Sequence, residues 1–143
     1  MENVRNILKA KNKPLITIYP HKTVYDALEL MVEKNVSALL VTEQGKLVGI
    51  FTERDYARRV ILKGKVSKET LIREIMTEKL ITIFQENTLE DCMQLMTNNF
   101  IRHLPVIEND ALIGIISIGD VVKYIIDEQK FIIENLEHYI KGR

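Results

Sequence analysis

Residues 15–60 read LITIYPHKTVYDALELMVEKNVSALLVTEQGKLVGIFTERDYARRV, and residues 80–125 read LITIFQENTLEDCMQLMTNNFIRHLPVIENDALIGIISIGDVVKYI. The second stretch aligns with the first at a shift of 65 positions, without a gap and with fifteen identities. A repeat of this length indicates one supersecondary unit used twice, since each copy can bury an apolar face that it cannot bury alone. We therefore expect paired sites related by a pseudo-two-fold axis.

Each copy shows the same alternation of helical and extended patterns. Thr23 and Thr88 each precede an apolar helical stripe and have an Asp three residues later, which is the spacing of a capping box. Two short β-type runs follow in each copy, split by 43–45 in the first and by 108–110 in the second, and a helical pattern then returns. The prediction is an α/β (α+β) fold of two strand–helix–strand–strand–helix units packed sheet to sheet.

The predicted organisation follows from these boundaries. An N-terminal helical segment covers 1–14, the first unit 15–63, a linker 64–79 and the second unit 80–141. The last helix of the first copy is expected to stop near Lys63-Gly64, whereas that of the second continues to Ile140. Apolar residues at spacings of three and four beyond Phe131 exceed what the repeats can cover, so we expect a homodimer.

Composition excludes several classes of protein. Twenty basic and twenty acidic residues cancel, so no overall field attracts the chain to nucleic acid or lipid. No apolar run approaches the roughly 20 residues that span a bilayer, and we expect no membrane association. The start of the chain lacks the apolar stretch of a secretory signal, and its one cysteine, Cys92, cannot form an internal disulfide. These features favour a cytoplasmic location, with Cys92 as a small core residue.

The candidate chemistry lies after the third strand of each unit. The first copy has Gly49-Ile50-Phe51-Thr52-Glu53-Arg54-Asp55, and the second has Gly114-Ile115-Ile116-Ser117-Ile118-Gly119-Asp120. The hydroxyl stands where strand becomes helix, where free N–H groups can hold an anion. The Asp one turn later accepts hydrogen bonds and suits a ribose diol. The alternative is that Thr52 and Ser117 are N-caps and that both aspartates serve the helix dipole.

With the preceding Arg102-His103-Leu104-Pro105-Val106, this repeated motif resembles a tandem pair of CBS domains, also called a Bateman module. The resemblance implies two clefts between the units that hold AMP or a related adenine nucleotide such as ADP, ATP or NAD. It also implies that Asp binds ribose and that hydroxyl and basic residues bind phosphate. One cleft would use Asp120, Ser117, Arg102 and His103 with Thr17, Ser37 and Ala38. The other would use Asp55, Thr52 and Arg54 with Thr82 and Ile83.

The first copy departs from this pattern. Ser37 and Ala38 stand where the second copy has Arg102 and His103, and its positive charge lies instead in Arg54, Arg58 and Arg59. Equal binding by both clefts is therefore one alternative, and one phosphate-rich site with one weaker site is another. Arg54 falls in the first helical turn, where a guanidinium can grip two phosphate oxygens.

The resemblance and the motifs predict a regulatory module that senses an adenosine compound and acts on a partner protein. The alternatives are a structural dimerisation module without ligand and, third, a phosphate-handling enzyme. The chain lacks the motifs of known nucleophiles, nucleotide-binding loops and metal centres, so we predict neither an enzyme nor a metalloprotein. Aromatic residues do not alternate with the basic ones, so nucleic acid is disfavoured as a partner.

Overall fold

The computed structural model of the protein describes residues 2–142. Its strands are β1 (Thr17–Ile18), β2 (Ala38–Glu43), β3 (Lys46–Thr52), β4 (His103–Glu108) and β5 (Ala111–Ser117). Its α-helices are α1 (Val4–Lys11), α2 (Val24–Lys34), α3 (Glu53–Asp55), α4 (Ile72–Ile75), α5 (Leu89–Asn99) and α6 (Ile118–Gly142). A π-helical turn (Tyr56–Val60) and a 3-10 turn (Ile61–Lys63) continue α3, and a second 3-10 turn covers Ser67–Glu69. The mixed α/β fold, the N-terminal helix and the long C-terminal helix are as predicted.

The chain divides into two compact units, named here by their aspartates. The Asp55 unit contains Pro14–Thr82 with Glu108–Ile113. The Asp120 unit contains the described residues up to Lys13, Ile83–Ile107 and the chain from Gly114 onward. Each unit therefore holds most of one repeat together with the helical segment that precedes the other repeat in sequence.

The Asp55 unit has a three-stranded sheet in the order β1-β2-β3. Strand β1 runs parallel to β2, and β2 pairs antiparallel with β3 through the predicted hairpin. Gln44 and Gly45 form the turn with φ of 52° and 78°, the two positive values that a twisted two-residue hairpin requires. The core of this unit includes Leu39, Val41 and Phe51, all inaccessible to solvent.

The second copy of the repeat follows this plan with a shorter first strand. Strands β4 and β5 form a two-stranded sheet whose turn, Asn109-Asp110, again has two positive φ values. The predicted first strand of the second copy is reduced to one bridge, in which Ile83 pairs in parallel with Val106. The alignment had predicted a matching strand, so the two copies differ here.

Helices α2 and α5 begin at the predicted capping boxes. The Thr23 hydroxyl accepts from Asp26 N–H while the Asp26 carboxylate accepts from Thr23 N–H, both at 3.1 Å. Thr88 and Asp91 make the same pair of bonds. The backbone N–H of the capping threonine is the main cause that lowers the pKa of each aspartate. Cys92 on α5 is fully buried, and burial raises the pKa of its thiol to about 11, as expected of a core residue.

The segments that precede the repeats are structured and buried. Helix α1 belongs to the Asp120 unit, where Val4 N–H donates to Asn87 O at 2.9 Å and Ile7 is 2% exposed. Helix α4 lies within 64–79, the stretch predicted as a linker, and it belongs to the Asp55 unit. There Ile72 is fully buried and its N–H donates to Lys22 O at 2.9 Å. Helix α1, which precedes the first repeat, thus packs in the unit of the second, and α4, which precedes the second repeat, packs in the unit of the first.

Helix α6 changes character along its length. Val121 near its start is fully buried, and the Tyr124 hydroxyl donates to Glu2 at 2.6 Å. Further along, large apolar side chains are exposed by half or more: Phe131, Ile132, Ile133, Leu136, Tyr139 and Ile140. Among residues 2–142, no helix has both the length and the hydropathy needed to cross a bilayer.

Candidate functional site

The centre of the candidate site is the junction of β5 and α6. Ser117 N–H donates to Oδ2 of Asp120 at 2.8 Å, and Asp120 N–H donates to the Ser117 hydroxyl at 3.0 Å. These bonds form a capping box, so the alternative prediction that Ser117 is an N-cap is confirmed. The same bonds hold the Asp120 carboxylate beside the first turn of α6.

A lysine from the N-terminal helix completes the surroundings of Asp120. The Lys11 ammonium donates to Asp120 Oδ2 at 2.8 Å and to the carbonyl oxygen of Ile115 at 2.9 Å. The side chains of Lys11 and Asp120 are 20% and 21% exposed, so this ion pair is largely shielded from water. Both donors, Ser117 N–H and Lys11, bind the same carboxylate oxygen, and within the part of the chain that the structure describes no hydrogen bond reaches Oδ1.

The charge state of Asp120 results from opposing effects. Burial, the largest single effect, would raise its pKa, but the net result is a pKa below the ordinary value. The hydrogen bond from Lys11 contributes most to the lowering, followed by the hydrogen bond from Ser117 N–H and the positive charge of Lys11. Asp120 is therefore an ionised acceptor at neutral pH.

Two basic residues stand at the start of β4, Arg102 directly before the strand and His103 as its first residue, and they differ in what they can offer a ligand. The backbone carbonyl of Arg102 accepts from Ile118 N–H at 2.9 Å, which brings this end of β4 to the start of α6, and the Arg102 side chain is exposed. Burial lowers the pKa of His103 to about 4, although the Asp120 charge acts against that shift. His103 is thus neutral at physiological pH. Of the predicted pair, Arg102 alone offers a positive charge to a phosphate.

Asp55 occupies the equivalent position in the other unit but has different partners. Its Oδ2 accepts from Thr52 N–H at 2.9 Å and from the Thr52 hydroxyl at 3.2 Å. Its Oδ1 accepts from the Thr77 hydroxyl at 2.9 Å, and Arg59 Nε lies 4.0 Å from the same oxygen. Asp55 is 6% exposed, and both of its oxygens already have donors from its own unit. Thr52 is an N-cap, as the alternative predicted.

The arginines near Asp55 also have distinct positions. Arg59 donates through Nη1 to the carbonyls of Ile75 at 3.1 Å and Met76 at 3.2 Å, so it ties the π-helical turn to the end of α4. Arg54 lies in α3 with an exposed side chain, at the place in the first turn where sequence predicted it.

The remaining predicted site residues are distributed over the two units. The Asp55 unit contains Thr17 on β1, Ser37 and Ala38 at the start of β2, and Thr82 at its end, whereas Ile83 belongs to the Asp120 unit. Ser37 O accepts from Glu53 N–H at 3.2 Å, the counterpart of the bond between Arg102 and Ile118. Ile83 is 1% exposed. Their predicted contributions to the two clefts stay predictions.

Sequence reasoning missed Lys11 and Thr77. Lys11 lies 109 positions before Asp120, and Thr77 lies 22 positions after Asp55. An alignment extended before the repeats would pair Lys11 with Met76 and Asn12 with Thr77, so the side chains offer no common signal. The backbone course of α1 and α4 is what brings these donors to the aspartates.

A shallow depression of about 510 Å³ lies in the Asp55 unit between β1 and α2. Asp26, Glu29 and Glu33 line it from α2, with Lys22 as its single basic residue. Three carboxylates repel a phosphate, so this depression does not suit a nucleotide. The described residues also contain no group of three or more His, Cys, Asp or Glu side chains that could hold a metal ion.

Comparison with known proteins agrees with the repeated motif. CBSX3, a mitochondrial CBS domain-containing protein of Arabidopsis thaliana, is 43% identical over 97% of this chain and 72% of its own length. A solved protein with CBS domains from Burkholderia ambifaria MC40-6 is 45% identical and superposes with a TM-score of 0.84, covering 89% of this chain and 96% of that one.

A third similar structure contains ligands. The CBS domain pair of MJ0100, solved in complex with 5′-methylthioadenosine and S-adenosyl-L-methionine, is 26% identical with a TM-score of 0.78, covering 90% of this chain and 98% of that one. The family model for the CBS domain matches this chain twice, at residues 4–62 and 72–127. The chain belongs to the CBS-domain family and carries two CBS domains in tandem.

Proposed function

We propose that this protein is a regulatory module that binds AMP or a related adenine nucleotide, with Asp120 as the ribose-binding residue. The observation that carries the proposal is the state of the Asp120 carboxylate, which is ionised and has Oδ2 held by two donors and Oδ1 left to accept. A ribose hydroxyl can donate to Oδ1 without displacing either donor.

The phosphate would lie at the start of α6. The Ser117 hydroxyl accepts from Asp120 N–H and can donate its own hydrogen either to the Asp120 carboxylate, whose pKa it helps to lower, or to a phosphate. The helix N-terminus contributes a partial positive charge, and the exposed Arg102 side chain contributes a full one. His103, being neutral, would serve as a hydrogen-bonding group and not as a counter-ion. Thr17, Ser37 and Ala38 complete this proposed site on the resemblance alone.

The ligands of MJ0100 support an adenosine compound as the ligand of this chain, but they give no support for or against a phosphate group on it. Methylthioadenosine and S-adenosylmethionine share adenosine with AMP but carry no phosphate. Arg102 favours a phosphorylated ligand for this chain because an exposed guanidinium beside a helix start has an obvious partner in a phosphate. ADP, ATP and NAD fit the same reasoning.

We propose that the two aspartates contribute unequally. A ribose diol at Asp55 would compete with Thr77 for Oδ1 and with Thr52 for Oδ2, whereas Asp120 offers an oxygen without such competition. Of the two alternatives from sequence, one principal site and one weaker site is therefore favoured. Thr52, Arg54, Thr82 and Ile83 belong to the weaker one.

The proposed role is regulatory and not catalytic. A bound nucleotide regulates when it stabilises one of two conformations of the module more than the other. A partner protein that binds the two conformations unequally then responds to the nucleotide. The exposed apolar half of α6 is a surface through which a second copy would be held, and we propose a homodimer on that basis. The same surface favours the second candidate, a dimerisation module without ligand. The cytoplasmic location stays a prediction.

Titration calorimetry with AMP, ADP, ATP, NAD, adenosine, methylthioadenosine and S-adenosylmethionine tests the proposal. We expect at least one to bind and Asp120→Ala to weaken that binding about 10- to 100-fold, the loss typical of a hydrogen bond to a charged group. Asp127→Ala is the matched control, because this exposed aspartate of α6 has no proposed contact with ligand. Failure of the wild type to bind any of these compounds would leave the dimerisation module as the better description.

A further inference from the structure

We infer that Lys11 is a positioning residue for Asp120, holding the carboxylate by Oδ2 so that Oδ1 is presented to the ligand. This inference rests on the proposed ligand site and adds the N-terminal helix to it. The ammonium bonds the Ile115 carbonyl as well as Asp120, so its place is set by the strand backbone and not by the carboxylate alone.

The anchoring of α1 supports a fixed lysine. Val4 and Ile7 are buried, Leu8 lies where a Cβ on Gly114 would be 2.7 Å from its Cδ2, and the helix begins with two backbone bonds to the segment before α5. Lys11 is in the last turn of this helix, so its side chain starts from a rigid base. Displacing it would leave a largely shielded ammonium and a strand carbonyl without their bonds, which costs free energy.

In the Asp55 unit the equivalent strand carbonyl and the equivalent carboxylate are both bound by a threonine instead of a lysine. Ile50 O, the counterpart of Ile115 O, accepts from Thr77 N–H at 2.9 Å, and Asp55 accepts from the Thr77 hydroxyl at 2.9 Å. One lysine in the Asp120 unit thus replaces the two donors of one threonine. The difference lies in the oxygen used: Thr77 occupies Oδ1 of Asp55, whereas Lys11 shares Oδ2 of Asp120 with Ser117.

Masking is the opposite interpretation, in which Lys11 must leave before a ligand can bind. The choice of Oδ2 argues against it, since the lysine joins an oxygen that the capping box already uses. Lys11 also opposes the effect of burial on the acidity of Asp120. Among residues 2–142, the charged and titratable groups that act on Asp120 and its neighbour His103 are Lys11 from α1 and Arg102, which directly precedes β4.

The test compares Lys11→Met with the wild type, with Lys9→Met on the exposed side of the same helix as control. The first measurement is the titration of the Asp120 side-chain carbon by NMR, assigned with Asp120→Asn. In the wild type its pKa lies below the ordinary 3.8. Without Lys11, the carboxylate loses a hydrogen bond and a positive charge while it stays partly buried, so its pKa should rise. Lys9→Met should leave it unchanged.

The second measurement is AMP binding by calorimetry between about pH 4 and pH 8. Ligand binding needs the ionised carboxylate, so affinity falls as pH drops through the pKa of Asp120, and this fall should begin at higher pH in Lys11→Met. At neutral pH we expect about 10-fold weaker binding, with most of it restored in Lys11→Arg. Lys11→Gln, which keeps a donor without the charge, provides a second test if Lys11→Met folds poorly.

The outcomes separate the two proposals. Tighter AMP binding by Lys11→Met would show that Lys11 masks Asp120, and an unchanged titration would show that it does not hold the carboxylate; either result overturns the inference while the nucleotide site stands. A wild type that binds none of the adenosine compounds would overturn the proposed function and the role of Lys11 in binding together.

Discussion

The hydroxyl of Thr77 lies 2.9 Å from Oδ1 of Asp55, whereas Lys11, the donor that reaches the second aspartate from α1, binds Oδ2 of Asp120. Thr77 also exchanges two backbone hydrogen bonds with Ile50, both at 2.9 Å, so the segment after α4 is tied to β3 at two points and to α3 at a third. Asp55 therefore joins β3, α3 and the segment before the second repeat within one unit.

Asp55→Ala should lower the free energy of unfolding more than Asp120→Ala does. The first substitution leaves the half-buried Thr77 hydroxyl and the Thr52 N–H without their acceptor, at a cost of about 1–3 kcal/mol. Asp120 is more accessible, so water can replace part of what is lost. Urea unfolding of both variants measures the difference, and Thr77→Val should reproduce part of the Asp55 effect. Equal destabilisation by the two alanine variants would contradict the distinction.

Arg102→Ala should weaken AMP binding while leaving adenosine binding almost unchanged, because the proposed contact is with the phosphate. The AMP affinity of the wild type should also fall with added salt, which screens an exposed charge. Calorimetry with both ligands at low and high salt provides the comparison. Arg54→Ala is the matched variant in the other unit and should have the smaller effect. If adenosine binds as tightly as AMP to the wild type, Arg102 has no phosphate to hold.

Gly49→Ala should destabilise the protein more than Gly114→Ala, although the two glycines occupy equivalent positions in the repeat. A Cβ at Gly49 would lie 2.6 Å from Met76 Sδ and 3.1 Å from the backbone oxygen of Thr77, which its bonds to Ile50 hold in place. At Gly114 the three atoms nearest to the Cβ all belong to the end of the Leu8 side chain, which can rotate away. We expect about 1–3 kcal/mol at Gly49 and less at Gly114.

Thermal unfolding of the two glycine variants measures this difference. Leu8→Ala combined with Gly114→Ala is the control, since it removes the side chain nearest to the new methyl group. A larger loss of stability from Gly114→Ala than from Gly49→Ala would show that α1 is held more rigidly than the segment after α4.

The protein should be a homodimer whose stability depends on the second half of α6. Phe131, Leu136 and Tyr139 are each more than half exposed on this helix, and a stripe of this kind is costly to leave in water. Light scattering should give about twice the chain mass of 16.6 kDa. Truncation before Phe131 should weaken the dimer without unfolding the two units. A wild-type monomer at tens of micromolar would show that the exposed stripe has another role.

The sequence predicted the elements that depend on local pattern. The capping boxes at Thr23 and Thr88, the two hairpin turns and the long final helix all follow from residues within a few positions of one another. Such features arise from short-range hydrogen bonds and from the backbone preferences of turn residues, which is why a single sequence shows them. The second copy has only a single bridge at Ile83 where the first copy has strand β1. This difference was not predicted, because strand pairing depends on neighbours distant in sequence.

The sequence by itself determined that the chain is a tandem CBS pair, with an aspartate at the start of a helix in each copy. Only the tertiary structure decided that the two aspartates differ, because the donors that distinguish them lie outside the repeats. Lys11 reaches Asp120 from α1, and Thr77 reaches Asp55 from beyond α4. A hydrogen bond depends on distance in space, and these partners meet only where buried apolar side chains hold α1 and α4 in their units.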